Sequence, residues 1–210
     1  MQIKKLTFNP FQVNTYVIFD EAKNCIIVDP ACLGSAEQNV LINFIRSESL
    51  KPLEIVNTHF HIDHVTGNDF LKNKYGIKVK AHAKGEKIWS NLGFYASVLG
   101  VDASTISNPD EFIDENDLIH VGTSSLIVLY TPGHADGSIC LYNSVDKFVI
   151  TGDVLFDESI GRTDLPTGNY DTLHNSIMQK LFTLPDETVV YPGHGPATTI
   201  GKEKISNPFL

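Results

Sequence analysis

Thr58-His59-Phe60-His61-Ile62-Asp63-His64 follows directly on the β-rich run at residues 53–58, which places an H-x-H-x-D-H pattern at the C-terminal end of a strand. Imidazole and carboxylate groups are ligands for borderline divalent cations such as zinc, iron or manganese. On an extended loop the alternate residues His59, His61 and Asp63 project to one side and His64 to the other. Two directions point to two metal ions. Residues 65–75, closed by Gly76, read as the next helix, so the ligand-type residues occupy a strand-to-helix loop.

Working outward, three further candidates stand where later β-rich runs break at a glycine. His134 ends Thr131-Pro132-Gly133-His134 after a strand at 125–131, and Asp153 ends Thr151-Gly152-Asp153 after a strand at 147–151. His194 lies in Pro192-Gly193-His194-Gly195 after a strand at 188–191. A strand at 138–142 separates the first two. Each alone reads more readily as a turn residue; together with the loop they supply five histidines and two aspartates, enough for two metal sites with a position left open.

The rest of the chain alternates in the same way. Strands at 13–19 and 24–29 form a hairpin, and Val40, Leu41, Phe44 and Ile45 give residues 35–46 a helical period, with Ser35 as N-cap and Gln38 as its capping-box partner. A strand is expected at 77–81 and helices at 84–100 and 170–182, while 101–116 carries no clear pattern. Strands and a helix followed by strands and a helix predict an α/β (α+β) chain of two mixed sheets packed face to face with helices outside. No linker or repeat divides the chain, so one domain is expected over 1–210.

Composition narrows the function classes. With 42% hydrophobic and 20% charged residues the chain is not disordered, and a formal charge of −9 argues against a nucleic-acid binder. No signal-peptide pattern or membrane-length apolar run is present, which reads as a cytoplasmic protein without membrane partners. Cys25, Cys32 and Cys140 are odd in number and lack a Cys-x-x-Cys pair, so buried reduced thiols are expected.

These motifs resemble the metallo-β-lactamase superfamily over essentially the whole chain. Asn14-Thr15-Tyr16 and Val28-Asp29-Pro30 are similar to its opening strands, although Ala31 stands where glycine is usual after Asp-Pro. Gly152-Asp153-Val154-Leu155-Phe156, Ile160-Gly161-Arg162-Thr163-Asp164 and the closing Asn207-Pro208-Phe209 resemble the glyoxalase II-like branch, particularly its short bacterial members. The resemblance implies an αββα sandwich, a first metal on His59, His61 and His134, a second on Asp63, His64 and His194, and Asp153 bridging them. It implies zinc first, with iron or manganese as alternatives.

Two such ions sharing a solvent molecule would bring its pKa towards ~7 and make a hydroxide nucleophile, with Asp63 and Asp153 as catalytic carboxylates. A thiolate leaves readily, so an acyl thioester of the hydroxyacylglutathione type is the expected substrate. The rivals are a persulfide dioxygenase holding one iron on His59, His134 and Asp153, and a metal-dependent lactonase. Only sixteen residues follow His194, room for one short helix and not for a helical C-terminal substrate domain, which predicts an open site and a broad thioester range. Two divalent ions would reduce the formal charge from −9 to −5 and make the cleft locally cationic for a small anionic thioester.

Residues outside the cluster get plainer readings. His82, His120 and His174 are expected at surface or core positions, and Arg162 in a local pair with Asp157 or Asp164 ahead of a substrate clamp. Asp29 is expected to support a metal-bound histidine, and Trp89, Phe94 and Tyr95 to pack as core aromatics.

Overall fold

The computed structural model describes residues 1–99 and 106–210, so part of the patternless stretch and the last residue of the helix expected at 84–100 lie outside the described residues. In the first sheet β1 (Gln2–Phe8), β2 (Val13–Phe19) and β3 (Asn24–Val28) are antiparallel. Next come β4 (Lys51–Val56), β5 (Lys78–Ala81) and β6 (Glu111–Phe112), which add in parallel. The second sheet contains β7 (Leu118–Val121), β8 (Ser124–Tyr130), β9 (Ile139–Asn143) and β10 (Phe148–Gly152), all antiparallel. A small hairpin, β11 (Leu155–Phe156) and β12 (Ser159–Ile160), precedes β13 (Val189–Pro192), which pairs parallel with β10 and antiparallel with β14 (Thr198–Thr199).

Period-two alternation builds the layers. On β2, Tyr16 and Ile18 enter a cluster with Val128, Leu141 and Ile150 of the opposite sheet, while Val17 and Phe19 face the other way. On β10, Phe148 and Ile150 point into that inter-sheet core and Val149 points out. Each sheet is thus apolar on both faces and needs helices outside, the arrangement expected from the sequence. Helix α1 (Gly34–Ser47) covers the first sheet with Leu41 and Ile45. Beyond the second sheet, Leu173, Ile177 and Leu181 pack with Val149 and Val190.

Several local expectations are corrected. β1 was not foreseen: its Lys4 and Lys5 interrupt the apolar pattern on an exposed edge strand. Helix α1 starts at Gly34, and Ser35 and Gln38 do not cap it; instead Glu37 Oε2 accepts from Leu33 N at 2.7 Å and Oε1 from Asn9 N at 2.9 Å. The helix expected at 65–75 splits into α2 (Ile62–Val65) and α3 (Asn68–Tyr75) at Thr66-Gly67, where a Cβ on Gly67 would stand 2.7 Å from Pro30 O. Likewise 84–100 divides into a 3-10 turn, α4 (Glu86–Trp89) and α5 (Leu92–Leu99). The helix at 170–182 is α6 (Tyr170–Ser176) running into a π-helical turn, Ile177–Leu181. A short α7 (Ile200–Ser206) follows the last strand. Burial of the three free cysteines pushes their thiols up to about 12. Among the described residues no helix is long and apolar enough to cross a membrane.

Candidate metal centre

The sheets bring all seven candidate ligands to one edge. His59 follows β4, and His61 is the last extended residue before α2, which carries Asp63 and His64. Because helical geometry begins at Ile62, the expected alternation stops at His61: Asp63 does not side with His59 and His61 but meets His64 and His194. The turn after β8 supplies His134, the end of β10 supplies Asp153, and the end of β13 supplies His194.

Six of the seven candidates fall into two groups, His59 with His61 and His134, and Asp63 with His64 and His194, each with its ligand-type atoms within 4.8 Å of one another; Asp29 makes a third such set with His59 and His64. His134 Nε2 lies 3.0 Å from His61 Nδ1, and His64 Nε2 lies 3.4 Å from His194 Nε2. Nitrogens about 2.1 Å from a shared tetrahedral cation stand about 3.4 Å apart, so this spacing suits a common ion. The Asp153 carboxylate sits between the groups, with Oδ2 3.7 Å from His134 Nε2 and 3.5 Å from His194 Nε2. Its Oδ1 is 3.4 Å from His64 Nε2.

Four of the five histidines have their other nitrogen tied down, which sets the tautomer. His134 Nδ1 donates to Arg162 O at 2.8 Å, and His194 Nδ1 to Phe11 O at 2.9 Å. Thr58 Oγ1 donates to Asp29 Oδ2 at 2.6 Å, so it accepts from His59 Nδ1 at 3.1 Å. His64 Nδ1 donates to the same Asp29 oxygen at 3.1 Å, so Asp29 supports two histidines, one through Thr58. In each case Nε2 is left facing the cluster.

Electrostatics sort the groups. Burial, reinforced by neighbouring imidazoles, holds His59 well below the usual histidine range and pushes His61 down to about 3. Burial also lowers His134. These imidazoles are therefore neutral, the form that offers a lone pair to a metal. At His64 burial acts in the same sense, but the carboxylates of Asp153 and Asp63 outweigh it and raise the group. At Asp153 burial favours the acid, and the surrounding histidines, His64 first, overcome this and keep it ionised.

The residues fit the implied metals on an independent observation. Two atoms aimed into the cluster, His59 Nε2 and Asp153 Oδ1, are buried with no hydrogen-bond partner. An unmet buried polar group costs about 1–3 kcal/mol, and a cation at each group satisfies both atoms.

Other residues fall as follows. Arg162 pairs doubly with Asp164, Nε to Oδ1 and Nη2 to Oδ2 at 2.7 Å each, while Asp157 pairs with Lys202; Arg162 also lines the cleft. His82 is buried, stacked on Tyr130 and bonded to Asp114, while His120 is exposed and His174 lies on α6. Trp89 packs on Phe60 and Phe112, Phe94 is exposed, and Tyr95 lines the cleft.

Sequence reasoning missed the turn that joins β1 and β2. Asn9 Nδ2 donates to Ala31 O and to Asp63 O at 3.1 and 2.8 Å, and its Oδ1 accepts from Phe11 N, whose carbonyl holds His194. Asn9 thereby ties Asp63 to His194. The available signal was an Asn one residue past a strand, a common turn residue with nothing to mark its partners.

Comparison with known proteins gives a consistent setting. The sequence profile of the metallo-beta-lactamase superfamily matches residues 8–194. The chain is 37% identical to the probable metallo-hydrolase YqgX of Bacillus subtilis over 213 residues, 100% of this chain and 98% of that protein. It is also 37% identical to the hydroxyacylglutathione hydrolase GloC of Haemophilus influenzae over 212 residues, again 100% and 98%. Among solved structures it superposes on BLEG-1 B3 metallo-beta-lactamase with a TM-score of 0.90, 36% identity and coverage of 100% and 99%. On the di-iron-bound form of TTHA1623 the TM-score is 0.87, with 32% identity over 99% and 100%. On ETHE1 from Myxococcus xanthus it is 0.82, with 30% identity over 99% of this chain and 84% of the other.

Proposed function

The chain belongs to the metallo-β-lactamase superfamily, a family with metal-dependent hydrolases among its members, and from that premise we propose that it hydrolyses an acyl thioester. The reaction is of the hydroxyacylglutathione type and the substrate a small anionic thioester. The observation that carries this reading is the pair of ligand groups with Asp153 between them and two orphaned polar atoms aimed inward. His59, His61 and His134 would hold one divalent cation and Asp63, His64 and His194 the other, with the Asp153 carboxylate placed between the two groups. Zinc suits this nitrogen-rich set, and the di-iron relative makes iron a candidate as well.

Bound there, the two cations supply an acidified water and a Lewis acid for the acyl carbonyl. The chain's own groups do the rest. Among the described residues the cavity walled by Phe11, Ile62, Tyr95 and Leu165 over both ligand groups has no Ser, Thr or Cys in its lining, which favours water as the attacking species. Asp63 turns Oδ2 towards His64 and His194, 3.8 and 3.7 Å away, which leaves Oδ1 to orient that water and accept its proton. Phe11, Ile62 and Leu165 line the approach with apolar surface, and a substrate that displaces water from it would strengthen each electrostatic contact. The thiolate departs without a dedicated acid. The chain is expected to act as one catalytic domain over 1–210, with the substrate held by the sandwich edge itself.

The likeness to ETHE1 keeps a second reading in view, in which His59, His134 and Asp153 would hold one iron and dioxygen would be the oxidant of a glutathione persulfide. Thiol release and oxygen uptake, followed side by side, separate the two. The metal-loaded protein is expected to release one thiol per acid formed from S-lactoylglutathione with no oxygen consumed. Rapid oxygen uptake with a glutathione persulfide and no thiol release from any thioester would overturn the hydrolase reading. A lactone and a β-lactam belong in the same panel, the latter because of BLEG-1.

A further inference from the structure

The chain leaves the metal centre at Asp153 and returns to it at Arg162, whose carbonyl accepts from His134 Nδ1 at 2.8 Å. Between them runs the β11–β12 hairpin, with Leu155 paired to Ile160 and Phe156 to Ser159. The closure is tight, since a Cβ on Gly161 would stand 1.9 Å from Asp153 O and 3.1 Å from His134 Cβ. The path of the hairpin therefore sets two of the seven candidate ligands relative to each other. Strands of two residues do not hold themselves in place. At the turn Glu158 has φ +55°, the left-handed region that a non-glycine residue adopts at a cost. Leu155 is fully buried and anchors the outgoing strand. The turn and the returning strand rest instead on α7. Glu203, 1% exposed, accepts at Oε2 from Glu158 N at 2.9 Å and from Asn207 Nδ2 at 2.8 Å, and at Oε1 from Thr198 Oγ1 at 2.5 Å. Asn207 Nδ2 also donates to Ser159 O at 3.1 Å.

We propose that Glu203, together with Asn207, is a positioning residue of the metal centre: from α7 it clamps the β11–β12 hairpin, and so sets both Asp153 and the Arg162 carbonyl that orients His134. Neither residue lines the cleft, so the effect runs through the hairpin alone. A carboxylate taken this far from water is costly unless its oxygens are met, and here three neutral donors meet them. Two of the three belong to the hairpin turn and to the asparagine that holds Ser159. The hairpin in turn carries Phe156, whose ring packs edge-on to His194 with centroids 6.3 Å apart. Groups that orient metal ligands typically change metal affinity or activity by about ten- to a hundredfold when they are removed. The inference goes beyond the thioester reading and holds for any substrate of this centre.

The test uses the full chain, with zinc as the metal and S-lactoylglutathione as the substrate. Glu203→Ala is expected to lower kcat about tenfold with KM within about twofold, and to weaken zinc binding, measured by competition with a chromophoric chelator, by about the same factor. Hydrogen exchange of the metal-free protein needs neither metal nor turnover: the amides at 155–161 should exchange faster, while β8, β9 and β10 keep their protection. Glu203→Gln should restore all three readouts to within about threefold, because its amide oxygen can take the Oε2 position while its NH2 donates to Thr198 Oγ1. Asn207→Ala, which removes the Ser159 contact and one bond to Glu203, supplies the same test if Glu203→Ala does not fold. Ile119→Ala, a core change on β7 at the opposite edge of the second sheet from β14, controls for lost stability alone and should leave zinc affinity unaltered. Faster exchange in the hairpin with wild-type zinc affinity and kcat would overturn the positioning role. So would a Glu203→Gln protein as impaired as Glu203→Ala, or an Ile119→Ala protein that binds zinc equally weakly. If the wild type turns over no thioester while zinc affinity and exchange respond as predicted, the hydrolase reading falls and the clamp stands.

Discussion

Asp153→Asn is expected to lower kcat/KM by about a thousandfold, a loss of about 4 kcal/mol in transition-state stabilisation, while the protein stays folded. The substitution keeps the side chain's volume and removes one charge. That charge is what faces His64, His134 and His194 at 3.4 to 3.7 Å, from a carboxylate whose Oδ1 has no hydrogen-bond partner. An amide presents only one oxygen, so it cannot serve both ligand groups, and its nitrogen aims a proton at a cation site. Bound metal should fall from two ions per chain towards one. Steady-state kinetics together with elemental analysis of the dialysed variant check this; wild-type turnover at unchanged metal content would show that Asp153 does not join the sites.

Gly193→Ala is expected to be nearly as damaging, about a hundredfold or more in kcat/KM, although it adds one methyl group to a residue that ligates nothing. A Cβ on Gly193 would stand 2.1 Å from Asp153 Oδ1 and 2.8 Å from His64 Cε1. Neither neighbour has room to retreat. His64 is fully buried and pinned by Asp29, and Asp153 is hemmed in by three histidines. Relief must come from moving Asp153 or the Pro192-Gly193-His194 strand end, and small misplacements of catalytic groups are costly. Metal-binding isotherms should show weakened affinity at the second group first. Unaltered binding and turnover would mean that the strand end is more compliant than this packing indicates.

How much of this was legible in sequence follows from the range of the interactions involved. The H-x-H-x-D-H loop carried its chemistry in residue type and spacing, and Gly-His and Gly-Asp at strand ends marked the other three ligands, because a broken strand is where a side chain leaves the sheet. Two sheets with helices outside were readable from the repeated order of strands and helix, and the αββα sandwich from the family resemblance. The division of Asp63 from His59 and His61 was not readable from spacing alone, since it depends on a helix starting at Ile62, one residue earlier than a strand-like alternation allows. Nor was the work of Asn9, which acts on Asp63 across 54 positions, or of the Phe11 carbonyl, which acts on His194 across 183. The α1 cap was misread for a related reason: Glu37 takes on both Leu33 N and the distant Asn9 N, a role that no local Ser-x-x-Gln pattern reveals.

The central claim, two cations held by two triads and used for thioester hydrolysis, is tested most directly by titrating metal-free protein with zinc or iron(II) while thiol release is followed. The account predicts that hydrolysis climbs until two equivalents per chain are bound and then levels off, with no oxygen consumed. A plateau at a single equivalent, accompanied by oxygen uptake on a persulfide, would contradict it.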